Sequence, residues 1–336
     1  MKYFAGLALV ILMTSCQKES GIKMHHLSGR TMGTTYNIKF VAPSDYSTEQ
    51  LKTDVDDRLK AVNMSMSTYI PTSEISKVNG AKANQAIEIS DDFRFVLSHA
   101  LDLAKDTEGI FDPTIGPLVN LWGFGPNGKR KVPETAKINE AIKVVGYKKI
   151  SLDGKSLKKN FSKTYIDLSA SAKGFGVDAI TKLLSSRGLK NNMVEIGGEV
   201  RTMGKSLSRP WKIGVETPSA SASEKGILKV IQLEGFALAT SGSYRNFFKY
   251  GDKVYSHTID YRTGRPVEHT LLSVSVISTS CMDADAVATA LMAMGTEKGF
   301  EYAKKNAIKA YFIFRDPTGQ KKFAQKATSE FNKVVK

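Results

Sequence analysis

Two short stretches carry side chains that could together handle a phosphorylated ligand and a cation. The first is Asp167-Leu168-Ser169-Ala170-Ser171-Ala172-Lys173-Gly174, where a carboxylate and an ammonium bracket a run of small residues. Small side chains let a ligand lie close against the backbone. A helix start offers free N–H groups to an anion, with the lysine as counter-charge. The second is Asp283-Ala284-Asp285-Ala286-Val287-Ala288-Thr289. Asp285 and Thr289 stand four apart on one helical face, so a carboxylate and a hydroxyl can both reach a hard cation. Each stretch also has a purely structural reading. Small residues at such a corner serve close packing, and Asp283 and Asp285 can cap a helix and complement its dipole while Thr289 is buried. A dinucleotide fingerprint at Gly174-Phe175-Gly176 is rejected, because these glycines fall inside the expected helix rather than in the turn before it.

The elements that must position these groups can be read from periodicity. A β-forming run from Lys163 to Leu168 leads into the first stretch, and Val177, Ile180, Leu183 and Leu184 continue it at helical spacing to Ser186-Arg187-Gly188. The second stretch opens a helix near Met282. The first folded element is expected as a strand from Tyr36 to Val41, entered through Gly29 to Thr35, with a helix from Ser47 to about Met64 after it. A loop from Met66 runs into a short helix capped by Thr72 or Ser73, and Ser90 to Thr107 forms a longer amphipathic helix. Tyr69 in that loop is either a stacking surface for an aromatic ligand or a packed anchor. Ile110 to Pro126 is apolar yet rich in glycine and proline, which marks a buried irregular loop of the kind that carries function. A helix from Glu134 to Val145 and a hairpin at Asp153-Gly154 come next. Further strands are expected at 193–196, running into Gly197-Gly198-Glu199, and at 211–215, 226–233, 237–240, 255–260 and 271–277.

The 336 residues carry a formal net charge of +15. Their lysines are scattered and no nucleic-acid module is visible, so the basic balance points to anionic ligands or an anionic membrane surface rather than to nucleic acid. With two cysteines, Cys16 and Cys281, no disulfide framework is implied. At the N-terminus, Lys2 precedes an apolar run from Tyr3 to Met13 and then Thr14-Ser15-Cys16. The run is too short to span a bilayer. Small residues ending on a cysteine resemble a bacterial lipoprotein signal, with cleavage before Cys16 and lipid on its sulfur; plain secretion with a free Cys16 is the alternative. This divides the chain into a signal (1–15), a polar tether (16–27) and a folded domain (28–330), held to a membrane outside the cytoplasm.

Taken in order, Met32-Gly33-Thr34-Thr35-Tyr36, Met66-Ser67-Thr68-Tyr69, Phe111-Asp112 through Gly116 to Pro126, Asp167-Leu168-Ser169-Ala170 and Lys173-Gly174 resemble the FAD:protein FMN transferase (ApbE) family. So do Glu195-Ile196-Gly197-Gly198-Glu199, Ser256-His257, Ile259-Asp260, Arg262-Thr263-Gly264, Ala284-Asp285-Ala286 and Thr289-Ala290-Leu291. Tyr261 stands where proline is common, and Ala288 where some members have a third acidic side chain. The resemblance implies an α+β fold, a mixed sheet flanked by helices, with a flavin cleft between two lobes. It implies a periplasm-facing, Mg2+-dependent enzyme that transfers FMN from FAD to a threonine or serine hydroxyl of a target flavoprotein, releasing AMP. By the same resemblance the flavin site would include Met32, Tyr69, Ile110, Phe111, Asp112, Asp167, Lys173 and Ile259. Mg2+ would be held by Asp285, Thr289 and the backbone oxygen of Ala170. His257 would move the proton, with Lys173 neutralising phosphate charge. Two rivals stay open: an FAD pyrophosphatase giving FMN and AMP, and a lipoprotein that binds flavin without turnover.

Overall fold

The computed structural model describes residues 21–126, 128–218, 226–244 and 246–335, so the expected signal segment and Cys16 lie outside the described residues. Period-two burial builds the first hairpin. In β2 (Thr34–Pro43), Tyr36, Ile38, Phe40 and Ala42 are buried while their neighbours are not. β1 (Ile22–Thr31) pairs with it through a two-residue turn in which Met32 and Gly33 both have positive φ, 51° and 72°.

From there the sheet runs on through β3 (Asn192–Ile196), β4 (Glu199–Met203), β5 (Ala237–Gly242), β6 (Leu271–Ser278), β7 (Lys309–Phe314) and β8 (Ala324–Ala327). Neighbours follow in chain order and every pairing among them is antiparallel. The α+β class stands, and the large sheet is antiparallel throughout where a mixed one was expected. Tight turns at Met32-Gly33 and Gly197-Gly198 can only return a strand antiparallel.

One face of this sheet carries α1 (Glu49–Met66), α2 (Asp91–Asp106), α3 (Ser169–Ser186), α4 (Cys281–Met294) and α5 (Thr296–Lys305). Ser90 caps α2 and Ser280 caps α4, each hydroxyl accepting from a backbone N–H three residues on, Phe93 at 3.3 Å and Asp283 at 3.2 Å. The opposite face is covered by the 211–216/227–233 hairpin and the helix Ser329–Val334, through Trp211, Leu233, Leu238, Ile277 and Phe331. A separate small core of Leu118, Trp122, Ile138, Val145 and Ile259 forms the second lobe. Among the described residues no helix is long and apolar enough to cross a membrane.

Three local expectations are corrected. Residues 22–27, expected in the tether, belong to β1, and His25 is buried there, donating from Nε2 to the Pro43 carbonyl at 2.8 Å. Alternating burial outweighs the polar composition of the segment. The run 163–168 forms no strand, because the Asn79 side chain takes the place of a neighbouring strand. It accepts from Ile166 N–H at 2.7 Å and donates to the Ile166 carbonyl at 2.9 Å. The expected strand 255–260 is interrupted: Lys253–Ser256 pairs with Phe247–Tyr250, Ile259–Asp260 pairs with Arg265–Pro266, and His257 sits at the break. The 110–126 loop also contains a short helix, Gly116–Leu121.

Candidate active site

The site is assembled where α3 crosses α4. At the crossing is Gly174, on which a Cβ would stand 2.3 Å from the Cys281 carbonyl oxygen. Asp178, one turn further along α3, holds the start of α4. It accepts from Cys281 N–H and Met282 N–H, both at 3.0 Å, and from the Ser280 hydroxyl at 2.8 Å, and it pairs with Arg201. The close approach puts Lys173 Nζ 3.5 and 3.4 Å from the two oxygens of Asp285, whose Oδ2 also accepts from Gly174 N–H at 3.1 Å. Glu199, just past the Gly197-Gly198 turn, brings Oε1 to 3.5 Å from the same ammonium.

One cation between two buried carboxylates controls the electrostatics. Burial disfavours the charge on Lys173, but Asp285 and Glu199 outweigh it and hold its pKa above the ordinary lysine range. Burial pushes Asp285 up, opposed by Lys173. It pushes Glu199 up to about 8, again opposed by Lys173 and reinforced by Asp285. Among the described residues, Glu199 Oε2 is buried without a hydrogen-bond partner. Sequence reading left Glu199 out of the site; the signal that could have found it is the Gly-Gly turn, whose positive φ values of 59° and 104° deliver it to the cavity.

These groups line a cavity of 410 Å³ between the two lobes. Lys173, Glu199, Ser241, Asp285 and Thr289 line it together with His257, the apolar Ile110, Phe111, Phe124 and Ile259, and Asp167, Ala170 and Tyr69. Asp285 and Thr289 do share a face, and the Thr289 hydroxyl lies 3.1 Å from that of Ser241. Tyr69 is 64% exposed at the rim, its hydroxyl 3.5 Å from the Phe124 carbonyl. Asp167 accepts from Ser169 N–H at 2.9 Å and so tops α3. His257 Nδ1 lies 3.1 Å from the Asn246 carbonyl oxygen. A carbonyl can only accept, so Nδ1 bears the hydrogen and Nε2 of the neutral ring keeps its lone pair. Burial, with lesser contributions from Lys173 and Arg130, lowers the His257 pKa and keeps the ring neutral.

Two expected residues behave differently. Asp112 lines the cavity, but its carboxylate is spent on structure: it accepts from Thr114 N–H, the Thr114 hydroxyl and Tyr147 N–H at 2.8, 2.6 and 2.7 Å. Met32 is not on the lining; it packs against Gly176, where a Cβ would come within 2.8 Å of its methyl carbon.

The model of the ApbE family matches residues 32–312. This chain belongs to the ApbE family. It is 40% identical over 334 residues to a FAD:protein FMN transferase of Vibrio cholerae, covering 98% of each chain, and 31% identical to one of Escherichia coli K12, covering 93% of this chain and 92% of that one. Its structure resembles the flavin transferase ApbE from Vibrio cholerae with a TM-score of 0.85 at 39% identity, covering 94% of this chain and all of the other. The flavinyl transferase ApbE of Pseudomonas stutzeri, in apo form, matches with a TM-score of 0.84 at 35% identity, covering 94% and 97%.

Within this ApbE cavity, the groups suited to a cation are oxygens. The described residues hold no cluster of three or more His, Cys, Asp or Glu arranged for a metal. A carboxylate (Asp285), a hydroxyl (Thr289) and a backbone carbonyl (Ala170) are nevertheless the donor types that a hard divalent cation takes when phosphate oxygens and water complete its shell. Gly174 N–H, one turn on from Ala170 in α3, also donates to Asp285 Oδ2 at 3.1 Å and so holds that carboxylate beside the start of the helix. The donor set therefore fits Mg2+.

Proposed function

We propose that this ApbE-family chain is a Mg2+-dependent FAD:protein FMN transferase. The observation that carries the reading is the convergence of Lys173, Asp285, Thr289 and His257 on one cavity between the lobes. In the reaction the oxygen of an acceptor threonine or serine attacks the FMN phosphorus. The bond from that phosphorus to the bridging oxygen breaks, and AMP leaves with that oxygen. Lys173, kept charged chiefly by Asp285, offsets the negative charge of the diphosphate. His257 presents a free Nε2 and can take the hydroxyl proton. Phe111 and Ile259, both buried on the cavity lining, offer apolar surface to the isoalloxazine, with Tyr69 at the rim to stack on it. Asp285, Thr289 and the Ala170 carbonyl would hold Mg2+, which when bound supplies further charge neutralisation at the diphosphate.

Cys16 supports a lipid anchor on the periplasmic side of a membrane, where flavoprotein acceptors would be reached. The test is incubation with FAD, Mg2+ and a flavoprotein fragment bearing an acceptor threonine, followed by a denaturing gel. A flavin-fluorescent band is expected. Free FMN and AMP released without labelling would instead mark a pyrophosphatase, and stoichiometric FAD binding with neither product a flavin carrier.

A further inference from the structure

On the sheet face opposite α3 and α4, a groove of 680 Å³ runs between β1–β3 and the turn that precedes Trp211. Lys39 alternates with Ile38 and Phe40, which point into the helical layer, while Met24 and Met193 pack on the core of the other face. The groove therefore looks away from the helices bearing Lys173 and Asp285. Its floor includes Met24, Met193 and the buried Trp211, and its rim includes Lys39, Arg209 and Lys212. These three side chains are exposed and make no ion pair or hydrogen bond with any described residue. Leu207 projects from the rim, 56% exposed, at φ 56°, a conformation costly for a bulky side chain. The turn holding it is closed by Ser206 N–H to the Arg209 carbonyl at 2.7 Å and the reverse bond at 3.1 Å.

Apolar surface within a cationic rim is the chemistry of an anionic lipid interface. Chain length singles out the bilayer as the occupant. Five residues separate Cys16 from Ile22, a reach of at most about 22 Å when fully extended. A lipid on Cys16 therefore keeps the start of β1 beside the membrane, where Ile22 is 69% exposed and Met24, two residues on, already lines the groove. The net charge of +15 favours the same approach.

We propose that this groove is the face on which the anchored enzyme rests on an anionic phospholipid bilayer, so that the helical layer and its cavity are turned away from the lipid. The proposal rests on the lipid-anchor reading of Cys16. The test uses the full lipidated chain floated with vesicles of phosphatidylcholine, with and without phosphatidylglycerol. An environment-sensitive dye is placed at Leu207→Cys or, at the cavity rim, Tyr69→Cys; Cys281 is buried and does not compete. The expected result is a blue shift and quenching by brominated lipid at position 207 in phosphatidylglycerol vesicles, with neither at 69. The shift is lost in Lys39→Glu/Arg209→Glu/Lys212→Glu. A floating chain whose position 207 stays in water, equal burial at both positions, or a shift that survives the triple substitution overturns the docking face alone. A chain that fails to float overturns the anchor and the docking together.

Discussion

The N–H of Gly174 donates to Oδ2 of Asp285 at 3.1 Å, across a helix crossing so tight that a Cβ on Gly174 would meet the Cys281 carbonyl oxygen at 2.3 Å. The contact is backbone against backbone, so no side-chain rotation can relieve it. Gly174→Ala must push α3 and α4 apart, which separates Lys173 from Asp285. Overpacking of this kind costs about 1–3 kcal/mol. The variant should unfold at lower urea concentration and transfer FMN more slowly at every FAD concentration. Unchanged stability and rate would show that the crossing does not set the site.

Asp178 acts one step further back, since it holds the start of α4 without reaching the cavity. Asp178→Ala leaves two backbone N–H groups, the Ser280 hydroxyl and Arg201 without their acceptor. Each buried polar group so orphaned costs about 1–3 kcal/mol. Asp178→Asn keeps acceptor oxygen and should recover part of the loss. Chemical denaturation at constant m-value separates the two variants; equal midpoints for both would remove the capping role.

For His257 the expectation concerns both rate and pH. His257→Ala should lower FMN transfer by ~10²–10⁴-fold while FAD still binds. The folded-state pKa lies below the ordinary 6.5, chiefly through burial. The active neutral ring therefore persists into mildly acid solution, and the acid limb of the rate profile should fall below pH 6.5. Between the lowered value and 6.5 the unfolded chain binds more protons than the folded one. The stability contributed by the neutral ring is thus complete above 6.5 and is lost as pH falls through the lowered value. An acid limb above 6.5 would remove His257 as the base.

Asp285 is tested by metal binding as well as by activity. Asp285→Ala should weaken calorimetric Mg2+ binding and lower transfer by at least ~10²–10³-fold, the scale for losing one charge-stabilising group. EDTA added to the unaltered enzyme should stop transfer, and excess Mg2+ should restore it. Full activity in EDTA would refute the cation site.

What could be read from the chain itself was local. The alternation of Tyr36, Ile38 and Phe40 specified a half-buried strand, and Ser90 marked a helix start, which its own hydroxyl caps in the structure. The four-residue spacing of Asp285 and Thr289 placed both on one helical face because 3.6 residues make a turn. The ordered motifs identified the family, since each carries its own backbone requirement. Tertiary structure decided the rest. Asn79 replaced the strand expected at 163–168, Asp112 was drawn into bracing its own loop, and Met32 turned into the core beside Gly176. Glu199 joined a lysine twenty-six positions upstream (199 − 173), and Lys173 met Asp285 across 112 positions. No local window records such meetings, because each depends on two surfaces closing on one another, and the atom that permits this closure is the Cβ that Gly174 lacks.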